Sequence, residues 1–290
     1  MPVLEHPAAP SPPGDDQIIW RFMSLEKLLS LLVTSSVYLT QVKMLRKDDP
    51  FESQFTLAHI ALLNHIQSTP ELLDSLVQEQ LRKSGLTDAT GVAARNMASM
   101  FSPGMLEIMA TVSAANTFVN CWHINDHESA ALWRLYSSNE AGIAIRTTVG
   151  RLKKSLEAAP DIFMGQVKYI DFDKEIIESG NFLNPIFRKR LSFAHERELR
   201  ICTMKGADRK AGEENLAEID LLHRQPAGIA VPCDLSALIE ELVISPLAAD
   251  WFLDTVKRVV EKFDADVKVR RSALFTSPSY LPTNVMRPPS

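Results

Sequence analysis

The sequence predicts an α+β fold, with a mixed or antiparallel β core, flanking helices and a helical insertion. Three observations lead there. Short runs rich in β-branched and aromatic residues stand on both sides of a long helical block, residues 54–115. These runs do not alternate strictly with helices, as a doubly wound parallel sheet would require. No GxGxxG follows any of them, so the dinucleotide-fold signature is missing.

The elements follow in order. Residues 1–16 are rich in Pro and Ala and read as a disordered lead-in. Residues 17–276 read as a single α+β domain. Ile18 to Phe22 is a short strand. Ser24 is placed to cap a helix whose Leu25, Leu28, Leu29 and Leu32 recur at helical spacing. Val37 to Thr40 is β-type, and Asp48-Asp49-Pro50-Phe51-Glu52 is an acidic loop. Within 54–115, Thr69-Pro70-Glu71 starts a helix and Gly85 stops it. Met97, Met100, Met105 and Met109 read as helix core filler. Strands are then expected at 117–122, 142–147, 166–170, 199–203, 228–233, 242–245 and 267–271. Helices are expected at 128–137, 148–158, 185–194 and 248–263. Residues 277–290, with four prolines, read as a flexible tail.

Composition narrows the function. A chain of 290 residues, 46% hydrophobic and 23% charged, has the balance of a globular protein with a real core. The net charge of -5 argues against bulk electrostatic attraction to nucleic acid. Cys121, Cys202 and Cys233 are few, odd in number and far apart, which fits neither a disulfide framework nor a thiolate zinc site. They point to a reducing cytoplasm. The N-terminus has no basic start and no apolar stretch of a secretory signal, and no window of 18 apolar residues suggests a membrane span. Walker A, HExxH and GxSxG motifs are absent, and only 11 glycines are available for phosphate-cradling loops.

The strongest local pattern is His195-Glu196-Arg197-Glu198-Leu199-Arg200-Ile201-Cys202. In a strand over 196–202, Leu199 and Ile201 point into the core, while Glu196, Glu198 and Arg200 share the opposite face. Two carboxylates beside a guanidinium suit a cleft that handles hydroxyls and a developing cation. They equally suit a solvated face of mutually neutralising charges. Cys121-Trp122-His123 precedes Asn125-Asp126-His127-Glu128. His123 and His127 have the i, i+4 spacing of a metal pair, but Asp126 reads better as a cap for a helix from Glu128. Trp122, Trp133 and Tyr136 read first as core aromatics and second as a stacking wall. Arg188-Lys189-Arg190 reads as the solvated face of a helix, with an anion contact second.

Taken in order, these segments resemble a bacterial family, the domain-of-unknown-function 2971 proteins. The resemblance rests on Trp20-Arg21-Phe22, on Asp49-Pro50-Phe51-Glu52 and on Cys121-Trp122-His123. It continues through Glu128 to Tyr136, Gly142-Ile143-Ala144-Ile145, and Phe187-Arg188-Lys189-Arg190 onward to Arg200. Asp48 departs from the Asn common there, and the 54–115 block is longer than in short members. A weaker likeness is to ADP-ribosyltransferases, which present an Arg or His on a first strand and a Glu-x-Glu on a late one. It implies Arg21 as the first-strand residue and Glu196 and Glu198 as the catalytic carboxylates. It implies that Tyr38 or Trp122 stacks on nicotinamide and that Arg200 holds the pyrophosphate. Cys121-Trp122-His123, and with it His123 as a cofactor contact, stands where the family's middle motif is Ser-Thr-Ser.

The leading expectation is therefore a cytoplasmic transferase that splits NAD, with NAD as substrate, no metal, and a protein or nucleic-acid acceptor rather than a membrane partner. One rival is a non-enzymatic module of a defence or toxin system that binds a nucleotide or peptide. Another is a metal-dependent hydrolase or nuclease using Asp48, Asp49, Glu52 and His123.

Overall fold

The computed structural model describes residues 3–4, 6–85, 91–136, 141–159, 161–178, 180–213, 215, 217–263 and 267–278. It is α+β, with strands in both parallel and antiparallel pairs. The chain divides into two compact units. The first comprises Met1–Gly14, Ser36–Ile124 and Leu156–Cys233; the second comprises Asp15–Ser35, Asn125–Ser155 and Asp234–Ser290.

The strands in chain order are β1 (Val3–Leu4), β2 (Ile18–Met23), β3 (Ser36–Gln41), β4 (Thr117–Ile124), β5 (Ile143–Thr148) and β6 (Ile162–Gln166). They continue with β7 (Lys168–Ile170), β8 (Arg188–Arg190), β9 (Glu198–Met204), β10 (Gly228–Pro232), β11 (Glu241–Ile244) and β12 (Lys268–Arg271). In the first unit the order is β1-β6-β9-β4-β3-β10. Every neighbour there is antiparallel except β1 and β6. The β4–β9 pairing sets His123 opposite Glu198, Trp122 opposite Leu199 and Cys121 opposite Arg200. A separate parallel ribbon joins β7 to β8, with Tyr169 opposite Lys189.

Among the described residues, four helices form the 54–115 block: Leu57–Gln67, Pro70–Lys83, Val92–Ser99 and Pro103–Asn116. Their starts are written in the sequence. The Thr56 hydroxyl accepts from His59 N, and the Ser102 hydroxyl from Met105 N, while Pro70 and Pro103 occupy first-turn positions where no N–H is needed. Gly85 follows the second helix at φ 75°, the left-handed region that ends helices cheaply. Phe55, Leu63, Ile66, Leu106 and Ala110 pack with Ile170 and Phe172 into one apolar cluster. Of the methionines expected as core filler, Met100 is exposed and Met97, Met105 and Met109 are half-buried.

Residues 1–16 are not simply an unstructured lead-in. Val3 and Leu4 pair with Ile162 and Phe163, and Ala8 is buried against Phe187, Val119 and Cys202. Gly165 makes this possible. A Cβ there would lie 2.8 Å from Pro10 O and 2.9 Å from Phe187 Cε1, so only glycine admits the segment. The expected 277–290 tail lies outside the described residues from 279 onward.

In the second unit the order is β2-β5-β11-β12, antiparallel except for β11 and β12. Ser24 occupies the expected cap position before Leu25–Thr34, though its hydroxyl makes no capping bond. The helix expected from Glu128 runs Ala130–Tyr136 instead; the Ser129 hydroxyl accepts from Leu132 N, and Asp126 does not cap it. Helix Asp250–Lys262 buries Phe252, Val256 and Val260 at helical spacing. Trp20, Trp133, Ala144 and Val243 form an apolar cluster, with Phe22 edge-on to Trp133 at 4.9 Å.

Trp133 is 3% exposed. Trp133→Ala should therefore destabilise the protein by about 3–5 kcal/mol. Urea unfolding checks this, and an unchanged midpoint would show that the cluster contributes little.

Candidate functional site

Directly paired residues of neighbouring strands put their side chains on one face of a sheet. Cys121, His123, Glu198 and Arg200 therefore share a face, and Trp122, Leu199 and Ile201 take the other. Alternation does place Glu198 and Arg200 together, as the sequence indicates. It does not leave them in solvent. Glu198 is 6% exposed and Arg200 is fully buried.

The cover comes from two distant segments. One is the loop after Val42–Leu45. Asp49 Oδ1 accepts from Phe51 N at 3.0 Å, a local turn that Asp-Pro favours. Arg46 holds the loop backbone, donating to Glu52 O, Ser53 O and Ala110 O. Glu52 is thereby delivered to the Arg200 guanidinium, with Oε1 2.6 Å from Nη1 and Oε2 3.2 Å from Nη2. The other segment is 185–197. It was expected as a helix over 185–194, but it forms a short 3₁₀ turn, then β8, then a 3₁₀ helix over Leu191–Glu196. Strand alternation turns Lys189 inward between Arg188 and Arg190, so the middle of the run is buried rather than solvated.

An ion-pair network results. Arg200 Nε donates to Glu198 Oε2 at 2.6 Å, and Nη1 also donates to Ile186 O at 2.6 Å. Lys189 Nζ donates to Glu198 Oε1 at 2.8 Å and to Glu196 Oε2. The backbone N–H of Glu198 donates to Tyr169 Oη at 2.9 Å. At its margin, Arg190 pairs with Asp49 at 2.5 Å and lies over the Phe51 ring, while Lys189 lies over Phe193. Three carboxylates, Glu52, Glu196 and Glu198, face two cations, Lys189 and Arg200. Buried charges persist only when paired in this way.

The environments of the two neighbouring glutamates diverge. Burial opposes the charge of Glu198, but the Arg200 guanidinium, then the hydrogen bond to Glu196 and the Lys189 charge, hold its carboxyl well below the usual range. For Glu196, burial and the hydrogen bond and charge of Glu198 push the carboxyl up to about 7, against the pull of Lys189. Burial pulls the Lys189 ammonium down, yet Glu198, with Glu52 and the hydrogen bond to Glu196, together outweigh it and hold Lys189 above its ordinary value. Burial, with Glu198 next, pushes up both the Cys121 thiol and the Tyr169 hydroxyl.

Of the other expected contacts, some share this face and some do not. Glu196 ends the 3₁₀ helix rather than sitting in β9, because Arg197 takes φ 41° and breaks the strand. Its carboxylate nevertheless returns to Lys189. Arg200 has no surface to offer a pyrophosphate. Trp122 is 1% exposed and faces away from Glu198, so it cannot stack on a ring held there. Tyr38 is half exposed on β3, its ring lying over Gly228, where any Cβ would clash with it at 2.3 Å. His123 does share the face: its Nδ1–H donates to Glu196 O at 2.6 Å, and burial holds its pKa below the ordinary value. Arg21 belongs to the second unit, on β2 opposite Ile145. Among the described residues no three His, Cys, Asp or Glu side chains are grouped to hold a metal. Asp49 and Glu52, two of the ligands considered for a hydrolase, are taken by Arg190 and Arg200, and Asp48 is exposed. Lys189 and Tyr169 are the members that sequence reasoning missed.

No helix among the described residues is long and apolar enough to cross a membrane. Residues 132–201 match the family model described as "Protein of unknown function (DUF2971)", in line with the resemblance read from the sequence. That stretch contains Tyr169, Lys189, Glu196, Glu198 and Arg200, and not Glu52. No curated protein matches the chain.

Two measurements test the network. Arg200→Ala strands Glu52 and Glu198 in the interior and should cost about 3–5 kcal/mol, whereas a Glu52→Gln, Arg200→Met double variant should recover part of that loss. Strictly additive losses in a double-mutant cycle would refute the coupling. The second concerns pH. Folding raises the Glu196 pKa above its ordinary 4.5, so the folded state binds that proton more tightly than the unfolded chain. The Glu196 contribution is then fully present below pH 4.5 and lost as pH climbs to about 7. Glu198 acts oppositely: its contribution is present above its ordinary pKa and is lost as pH falls through its depressed folded value. Unfolding free energies between pH 4.5 and 8 should thus decline less in Glu196→Gln than in the wild type.

Proposed function

We propose that the protein is an enzyme of the ADP-ribosyltransferase-like class that cleaves NAD at the nicotinamide–ribose bond. The observation that carries this reading is the pair of carboxyls on one lysine: Glu196 near neutrality, Glu198 firmly ionised. Two acids whose proton affinities are driven apart divide naturally into a proton carrier and a fixed charge. The choice of NAD comes from the likeness of Glu196-Arg197-Glu198 to the late-strand motif of those transferases.

In this mechanism the electron pair of the glycosidic bond leaves with nicotinamide and neutralises its ring nitrogen. The ribose passes through an oxocarbenium-like state, which negative charge nearby stabilises. Glu196, the less buried carboxylate, accepts the proton of the incoming hydroxyl, whether from water or from a protein or nucleic-acid acceptor. Glu198 does not meet the ribose directly. Its oxygens are held by Lys189 and Arg200, and it acts by setting the basicity of Glu196. Arg200 is a positioning residue, not a pyrophosphate clamp. Half-buried Phe193, beside Lys189, replaces Trp122 as the aromatic bordering the site.

Incubation of the purified chain with NAD, followed by nicotinamide detection, tests this reading. Release should rise with pH through about 7, as Glu196 loses its proton. Glu196→Gln should lower turnover by about 10²–10⁴-fold with the fold intact. Absence of nicotinamide release from the wild type overturns the reading. It would favour a non-enzymatic binding module in which the fully buried Arg200 network serves the fold alone.

A further inference from the structure

A cleft of about 320 Å³ lies wholly within the second unit and shares no residue with the Glu196 site. That volume is at the lower end of the roughly 300–1,000 Å³ range of small-molecule sites. Leu274 and Ala273 line it with apolar surface, Trp20 reaches it only at an edge, being 2% exposed, and Asp126, Glu128, Arg146 and Arg270 line it with charge. Trp20 is fixed from behind: its Nε1–H donates to Asn125 O at 2.9 Å, and its ring stacks near Phe22.

The charged groups are positioned but not saturated. Arg146 spends Nη1 on Glu240 at 2.7 Å, leaving Nε and Nη2 without a partner among the described residues. Arg270 spends Nε on Glu241 and Nη1 on Glu128, each at 3.0 Å, leaving Nη2. Asp126 Oδ1 accepts from Gln17 at 2.8 Å, and Oδ2 has no partner among the described residues. The cleft therefore presents unspent donors and an unspent acceptor against an apolar wall.

The surrounding charge decides what such a cleft accepts. Four carboxylates (Asp126, Glu128, Glu240 and Glu241) face three cations (Arg146, Arg270 and Lys268). A phosphate would enter a slightly negative field and compete with acids already on both guanidiniums. A molecule carrying both signs meets both unspent sets without net repulsion. We propose that this cleft binds a small zwitterion of the α-amino-acid type with an apolar side chain. Its carboxylate meets Arg146 and Arg270, its ammonium meets Asp126, and its side chain lies against Leu274 and Ala273, beside the edge of Trp20.

The probe is free L-leucine, titrated into ¹⁵N-labelled protein while the Trp20 indole N–H signal is followed. N-acetyl-L-leucine, L-leucine methyl ester and inorganic phosphate are run beside it. Leucine should shift the Trp20 signal saturably. The two blocked derivatives and phosphate should bind about tenfold more weakly or worse, as for loss of a charge-assisted hydrogen bond. Asp126→Asn, an exposed change, should weaken leucine by about tenfold and leave N-acetyl-leucine unaffected; Arg146→Gln should weaken leucine and spare the methyl ester. No saturable leucine shift, phosphate binding as tightly as leucine, or leucine affinity unchanged in Asp126→Asn would each overturn the proposal.

Discussion

The buried guanidinium of Arg200 is the constraint on which the first unit depends. A fully desolvated cation must be matched by acceptors on every side, and it recruits them from separate parts of the chain. Glu52 comes from an acidic loop, Glu198 from the same strand, and the Ile186 carbonyl from a 3₁₀ turn. Each partner in turn needs its own counterpart. Glu198 takes Lys189, Lys189 takes Glu196, and so the ribbon of β7 and β8 is tied to the sheet through charge as well as packing. Such networks are poor sources of net stability, because desolvation offsets most of the Coulomb attraction. What they do enforce is register, since a strand slipped by one residue would turn Glu198 and Arg200 to the opposite face.

That frame gives a glutamate a proton affinity near neutrality. Glu196 sits where burial, an ionised neighbour and a shared lysine meet, and nothing pairs it as completely as Arg200 pairs Glu198. The left-handed turn at Arg197 is what brings it there: without that break, Glu196 would lie within the strand and extend the row of Glu198 and Arg200. Two glutamates only two positions apart in the sequence thereby differ in how firmly they hold a proton. Placing the same chemistry in water would give two ordinary glutamates.

Much of the fold was legible because local rules agreed. Thr56, Pro70, Ser102 and Gly85 punctuate the helical block where propensity says they should, and the strands other than β1, β6 and β8 lie within a few residues of the expected apolar runs. Alternation placed Glu198 beside Arg200. Their burial was not legible, because it depends on cover from residues about 150 positions upstream. Lys189 was hidden for another reason. Three consecutive cations after Pro185 look like a helix surface, and a three-residue strand is too short to show alternation. Trp122 is the core aromatic that its apolar character suggests, and the stacking role implied by the transferase likeness fails because the pairing with β9 turns it away from Glu198. Residues 3–10 were read as a lead-in because a two-residue strand leaves no pattern, although Gly165 has to be a glycine to admit them.

The Arg200–Glu52 pair has a kinetic consequence. Its members stand 148 residues apart in the chain, so closing the contact costs loop entropy that local helices never face. Neither charge gains from leaving water before the other arrives, and Lys189 and Glu198 are bound by the same condition. The network should therefore assemble late, once the sheet and the helical block form the walls around it. Interactions absent from the folding transition state slow unfolding more than they speed folding. The charges at the centre of this unit then act chiefly as a latch, lengthening the lifetime of the native state while leaving the rate of reaching it to the apolar clusters on either side.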